Sequence, residues 1–84
     1  MSPGIEDEVS LVAAEIADHL AAQPRAADSA EGIRRWWLAP RIGERHPAIV
    51  QAALERLEAT GVARSRRLGD GSVVWGAAPP GGTA

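Results

Sequence analysis

The stretch from Pro47 to Trp75, PAIVQAALERLEATGVARSRRLGDGSVVW, most constrains what this chain can become. Val50, Leu54 and Leu57 recur at helical spacing, with Ile49 and Ala53 beside them, so one face of a helix is apolar. Pro47 suits the first helical position, where its missing N–H costs nothing. The helix is expected to end at Thr60, because Gly61 offers the left-handed residue that commonly stops one. Val62 to Leu68 then reads as a strand carrying Arg64, Arg66 and Arg67. Gly69-Asp70-Gly71 supplies the positive-φ residues of a tight turn, and Ser72 to Trp75 returns as a second strand.

Upstream, Val9, Val12, Ala13, Ile16, Ala17 and Leu20 share one face of a helix from Ile5 to Ala22. Glu6, Asp7 and Glu8 lie in its first turn, where they complement the helix dipole. Gln23-Pro24 should end it. A second helix is expected from Ser29 to about Ala39, stopping before Pro40, with Asp28 as N-cap and Glu31 completing a capping box. Ile33, Trp36 and Trp37 supply its apolar content. A short third strand is conceivable between the second and third helices, near Arg41 to Arg45. Residues 1–4 are expected to be a disordered N-terminus, 5–76 a single domain, and 77–84 a flexible tail.

Eighty-four residues allow one small core. There is no cysteine, which excludes a disulfide framework, a thiolate metal site and a catalytic thiol. The acidic N-terminus does not read as a signal peptide, and no run approaches a membrane span. A cytoplasmic protein is expected. All nine basic residues are arginine, and alanine is abundant, which fits the compositional bias of a GC-rich genome. The formal net charge is −2, yet it is unevenly spread. Residues 1–31 carry seven acids against Arg25, and residues 32–84 carry eight arginines against Glu44, Glu55, Glu58 and Asp70. Either the C-terminal half presents a basic face, or the two halves neutralise each other.

The order helix, sharp stop, strand, Gly-Asp-Gly tip, strand resembles the second half of a winged helix-turn-helix domain. The match is closest from Ile49 to Trp75 and looser from Ile5 to Ala39. The resemblance implies a mainly α fold of three helices with a β-hairpin, and most often DNA binding. Carried over by position, it assigns the major-groove surface to Arg45, His46, Ala48, Gln51, Ala52 and Glu55. Gln51 could pair with an adenine edge, and Glu55 would repel phosphate unless it reads cytosine. The wing arginines Arg64, Arg66 and Arg67 would hold phosphates, which set affinity and register but not sequence. Arg64 and Arg66 share one face of their strand, and Arg67 points to the other.

Each of these residues has a plainer use. A polar helix face can be mere solvated surface, and arginines on an edge strand protect it from pairing with other chains. The tryptophans are expected in the core of a chain that has no Phe or Tyr, and whichever of the Trp36–Trp37 pair is exposed would mark a partner surface. His19 and His46 are isolated, and two histidines without cysteine make no metal site. No serine sits in a nucleophile motif, and the Gly-Asp-Gly tip lacks the setting of a phosphate loop. The expected protein is therefore not an enzyme and needs no cofactor. It is a small bacterial transcription regulator bound to double-stranded DNA. The competing expectation is a winged-helix module that docks on another protein, for which the acidic total and Glu55 and Glu58 speak.

Overall fold

The computed structural model describes residues 4–79. The first three of the expected frayed residues 1–4 and the last five of the expected tail lie outside that range. Helix α1 runs Ile5–Ala22, followed by a two-residue strand β1, Ala27–Asp28. Helix α2 is composite: an α turn Ala30–Gly32, a π stretch Ile33–Leu38 and a last α turn Ala39–Ile42. Helix α3 spans Pro47–Ala59, and strands β2, Ala63–Arg67, and β3, Val73–Ala77, form a hairpin. The antiparallel sheet has the order β1-β3-β2, so the second hairpin strand lies in the middle.

The core is the junction of the three helices with one face of the sheet. Val9, Val12, Ile16 and Leu20 of α1 meet Val50, Ala53, Leu54 and Leu57 of α3, and Ile33, Trp37 and Leu38 of α2 close the third side. Ala63 and Trp75 contribute from the sheet. Trp75 is thus a core residue, as expected in a small domain without Phe or Tyr. Trp37 is 8% exposed and stacks on His19, ring centroids 4.1 Å apart. Trp36, one residue earlier on the helix, is 69% exposed. Adjacent helical residues point in different directions, and here the core takes only one of them.

The end of α3 shows how local chemistry positions the hairpin. Val62 N–H donates to the Leu57 carbonyl at 2.8 Å and Gly61 N–H to that of Glu58 at 3.1 Å, a Schellman motif with Gly61 at φ 81°. The chain reverses within two residues and enters β2. At the hairpin tip only Gly71 has positive φ, at 90°; Gly69 does not. Gly71 N–H donates to Leu68 O at 3.0 Å and Leu68 N–H to Ser72 O at 2.8 Å. A turn of negative-φ residues followed by one left-handed glycine is a common way to close a longer hairpin loop, so a single such glycine suffices.

Four expectations need correction. The third strand is not at Arg41–Arg45, where α2 ends and a coil begins; it is β1, whose Ala27 and Asp28 pair with Gly76 and Trp75. The N-cap of α2 is Ser29, whose hydroxyl accepts from Gly32 N–H at 3.0 Å, while Asp28 accepts from Ser29 N–H at 2.7 Å. Asp28 is committed to the sheet and braces the cap from outside. Helix α2 does not stop before Pro40. The π stretch shifts its ladder, with Ala39 N–H bonding back to Arg34 O, and Pro40 falls in the first turn of the final segment, where no donor is required. Ala77 is not tail: it pairs with Ala63, and Ala78 N–H donates to Val62 O at 3.0 Å.

Candidate nucleic-acid interface

The arginines divide into two groups, and the division decides which surface is basic. Five lie within 4.0 Å of an acid. Arg56 of α3 reaches Glu6 of α1 and donates to the Ser10 hydroxyl at 3.0 Å. Arg41 pairs with Glu15. Arg34 and Arg35 share Glu31, at 2.6 and 2.9 Å, and Arg34 also lies 3.7 Å from Glu44. The hydrogen bond from Arg34 holds the Glu31 carboxyl below its ordinary range. Arg45 Nε lies 4.0 Å from Glu8 Oε1. The acidic first half of the chain thus neutralises much of the arginine-rich second half. Among the described residues, Arg25, Arg64, Arg66 and Arg67 form no ion pair.

This partition treats the expected contact residues unequally. Arg45 is turned toward Glu8, its Nε buried without a hydrogen-bond partner among the described residues. His46 is exposed and is the N-cap of α3, its Nδ1 accepting from Ala48 N–H at 3.0 Å. That bond leaves Nε2 as the ring nitrogen not used by the cap. Gln51 is exposed but its amide donates to Glu55 at 3.0 Å, so reading a base would first require parting them. Ala52 is half-buried against the core. The outward strip of α3 is therefore His46, Ala48, Gln51 and Glu55, with no arginine free on it.

The hairpin is different. Arg64, Arg66 and Arg67 are all exposed. The register pairs Arg64 with Gly76, Arg66 with Val74 and Arg67 with Val73. Ala63 and Trp75, in the core, face the helices, so Arg64 and Arg66 point from the opposite face of the sheet. Arg67 belongs to the helix-facing set but sits near the tip. Ser65 lies between the two arginines, and its hydroxyl donates to Glu58 at 2.8 Å, fastening β2 to α3. The tip is ordered by Asp70, whose carboxylate accepts from the Ser72 hydroxyl at 2.6 Å and from Ser72 N–H at 2.9 Å. Those bonds, the hydroxyl's first, hold the Asp70 carboxyl below its ordinary range.

Arg25 was not among the expected contacts. It stands just after Pro24 in the link between α1 and β1, where nothing in its immediate sequence distinguishes it. Pairing of β1 with β3 brings its neighbourhood to the same sheet face as Arg64 and Arg66. A shallow cleft of about 420 Å³ lies there, with these three arginines in its lining.

Among the described residues no helix is long and apolar enough to cross a membrane, and no cluster of three His, Asp or Glu side chains is placed to hold a metal ion. Comparison with family models, curated proteins and solved structures finds no match to this chain.

Proposed function

We propose that this chain is a winged helix-turn-helix domain that binds double-stranded DNA as a small transcription regulator. The order of elements supports the fold reading: helix, short strand, two helices, then a hairpin whose second strand pairs with the first short strand. One observation carries the function. The arginines left without an acid partner lie on the hairpin and at the adjoining β1 link, while those of the helices are neutralised within the fold. The wing arginines supply the phosphate contacts, and α3 enters the major groove with His46 and Gln51 foremost. Because Gln51 is tied to Glu55 and Arg45 to Glu8, affinity comes chiefly from the backbone and sequence preference is modest. The reading involves no catalysis and no cofactor, and places the protein in the cytoplasm beside the chromosome.

The test is titration of the purified protein against duplex DNA at several salt concentrations. Each phosphate contact contributes roughly 0.9 to the slope of log affinity on log salt. Replacing Arg64 and Arg66 by glutamine should lower that slope by about two such contacts and weaken binding to all sequences alike. Gln51→Ala should relax preference at one base pair and leave the slope unchanged. Absence of duplex binding at low salt refutes the proposal. It would favour docking on a protein partner, the reading that the exposure of Trp36 supports, since a large aromatic side chain 69% exposed is a common anchor at interfaces.

A further inference from the structure

We infer that the sheet face turned away from the helices is a trench for a phosphodiester backbone, with Arg25 on one rim and Arg64 and Arg66 on the other. The occupant rests on the DNA reading above; the trench itself rests on the geometry of the sheet.

The register sets its shape. Ala27, Gly76 and Arg64 lie side by side across the three strands, and Arg66 stands beside Val74 one pleat along. Neighbouring strands are about 4.8 Å apart, so the outer strands are separated by about 9.6 Å. Arg64 and Arg66 are two residues apart on one face, about 6.6 Å. The floor is made by short apolar residues of the sheet. Gly76 has no side chain, and a Cβ placed there would approach the Ala26 carbonyl to 3.2 Å. Ala27 and Val74 complete the floor, and the cleft contains no acidic residue in its lining. Glu58 bonds one lining residue, through the Ser65 hydroxyl, which projects to the helix side.

Three guanidinium groups around an open, small-residue floor select for a ligand of particular chemistry. Guanidinium forks match the paired oxygens of phosphate, and without acids to satisfy them they remain available. Rims on both sides favour a linear polyanion lying along the trench over a point anion. The trench shares Arg64 and Arg66 with the wing, so a backbone held there continues the duplex contact surface and adds Arg25 to it.

The experiment uses the whole chain and two probes. Amide and arginine Nε signals are followed by NMR while inorganic pyrophosphate, and separately duplex DNA, is added. The expected result is movement of Gly76, Val74 and Ala27 amides and of the Arg25, Arg64 and Arg66 side chains with both probes. Arg25→Gln, at an exposed link position, should weaken pyrophosphate binding roughly three- to tenfold and lower the duplex salt slope by about 0.9. Arg35→Gln removes the same charge from an arginine already paired with Glu31 and should do neither. If duplex binds but Arg25→Gln behaves like Arg35→Gln and the floor amides stay still, the trench is refuted while the DNA reading stands. If pyrophosphate moves the floor signals but no duplex binds, the trench stands as a phosphate site and the DNA reading falls. Silence toward both probes overturns both.

Discussion

Replacing Gly32 by alanine isolates one contact that ties the sheet to α2. Glycine in a helix is ordinarily a weakness, and Gly→Ala would gain up to about 1 kcal/mol from propensity alone. Here the gain is blocked. A Cβ on Gly32 would fall well inside 3.0 Å of the Asp28 carboxylate, and the three nearest atoms all belong to that group. The carboxylate would have to leave Ser29 N–H, which it now holds at 2.7 Å. A hydrogen bond to a charged group is worth about 1.5–3 kcal/mol, so Gly32→Ala should lose about 1 kcal/mol net. In a domain this small that lowers Tm by about 4–8 °C. In an Asp28→Ala background the obstruction is gone and the same substitution should stabilise by up to about 1 kcal/mol. The sign reversal corresponds to a coupling near 2 kcal/mol in a double-mutant cycle. Urea and thermal unfolding of the four proteins measure it. Gly32→Ala equal to or more stable than wild type, or a coupling below about 0.5 kcal/mol, would refute the reasoning.

Other outcomes follow from the same packing. Leu54 is fully buried between α1 and α3, so Leu54→Ala should cost roughly 2–5 kcal/mol, a large share of the stability of so small a domain; an unchanged unfolding curve would mean that α3 does not pack as described. Gly71 has φ 90°, so Gly71→Val should disturb the hairpin tip while helical circular dichroism is retained; loss of the helical signal would contradict this. Asp70 has a lowered pKa in the folded protein, so its bonds to Ser72 contribute stability above the unfolded pKa and lose it as pH falls through the folded value. Its carboxyl carbon should titrate by NMR with a midpoint below 3.8, and Ser72→Ala should raise that midpoint; a midpoint unaffected by the change would remove Ser72 as the cause.

The parts of the fold legible in the sequence were those governed by local rules. The apolar faces of α1 and α3, the proline after Gln23 and the glycine after Thr60 each act within a turn or two, and both helices end where these residues require. What could not be read depended on partners far along the chain. Ala27-Asp28 has no strand-forming residue, and it is a strand because β3 lies beside it. Pro40 is an ordinary helix stop, and it is overruled because the preceding turn widens. At the candidate site, the shared outward face of Arg64 and Arg66 followed from alternation along a strand, whereas Arg67, on the other face, is exposed because it sits near the tip. That Arg45 would be drawn to Glu8 while Arg25 stayed free could not follow from spacing, since it is set by which acid each arginine meets across the folded chain.

The strand order also has a kinetic consequence. The hairpin of β2 and β3 and the helix before it are near neighbours in sequence and can form early. Strand β1 is different, because among the described residues its sole partner in the sheet is the central strand β3. Residues 27 and 76 must meet across about two thirds of the described chain, and loop-closure entropy opposes that meeting until the helices have collapsed. The rim carrying Arg25 should therefore be assembled after the hairpin. In native-state hydrogen exchange it should be the first part of the sheet to open.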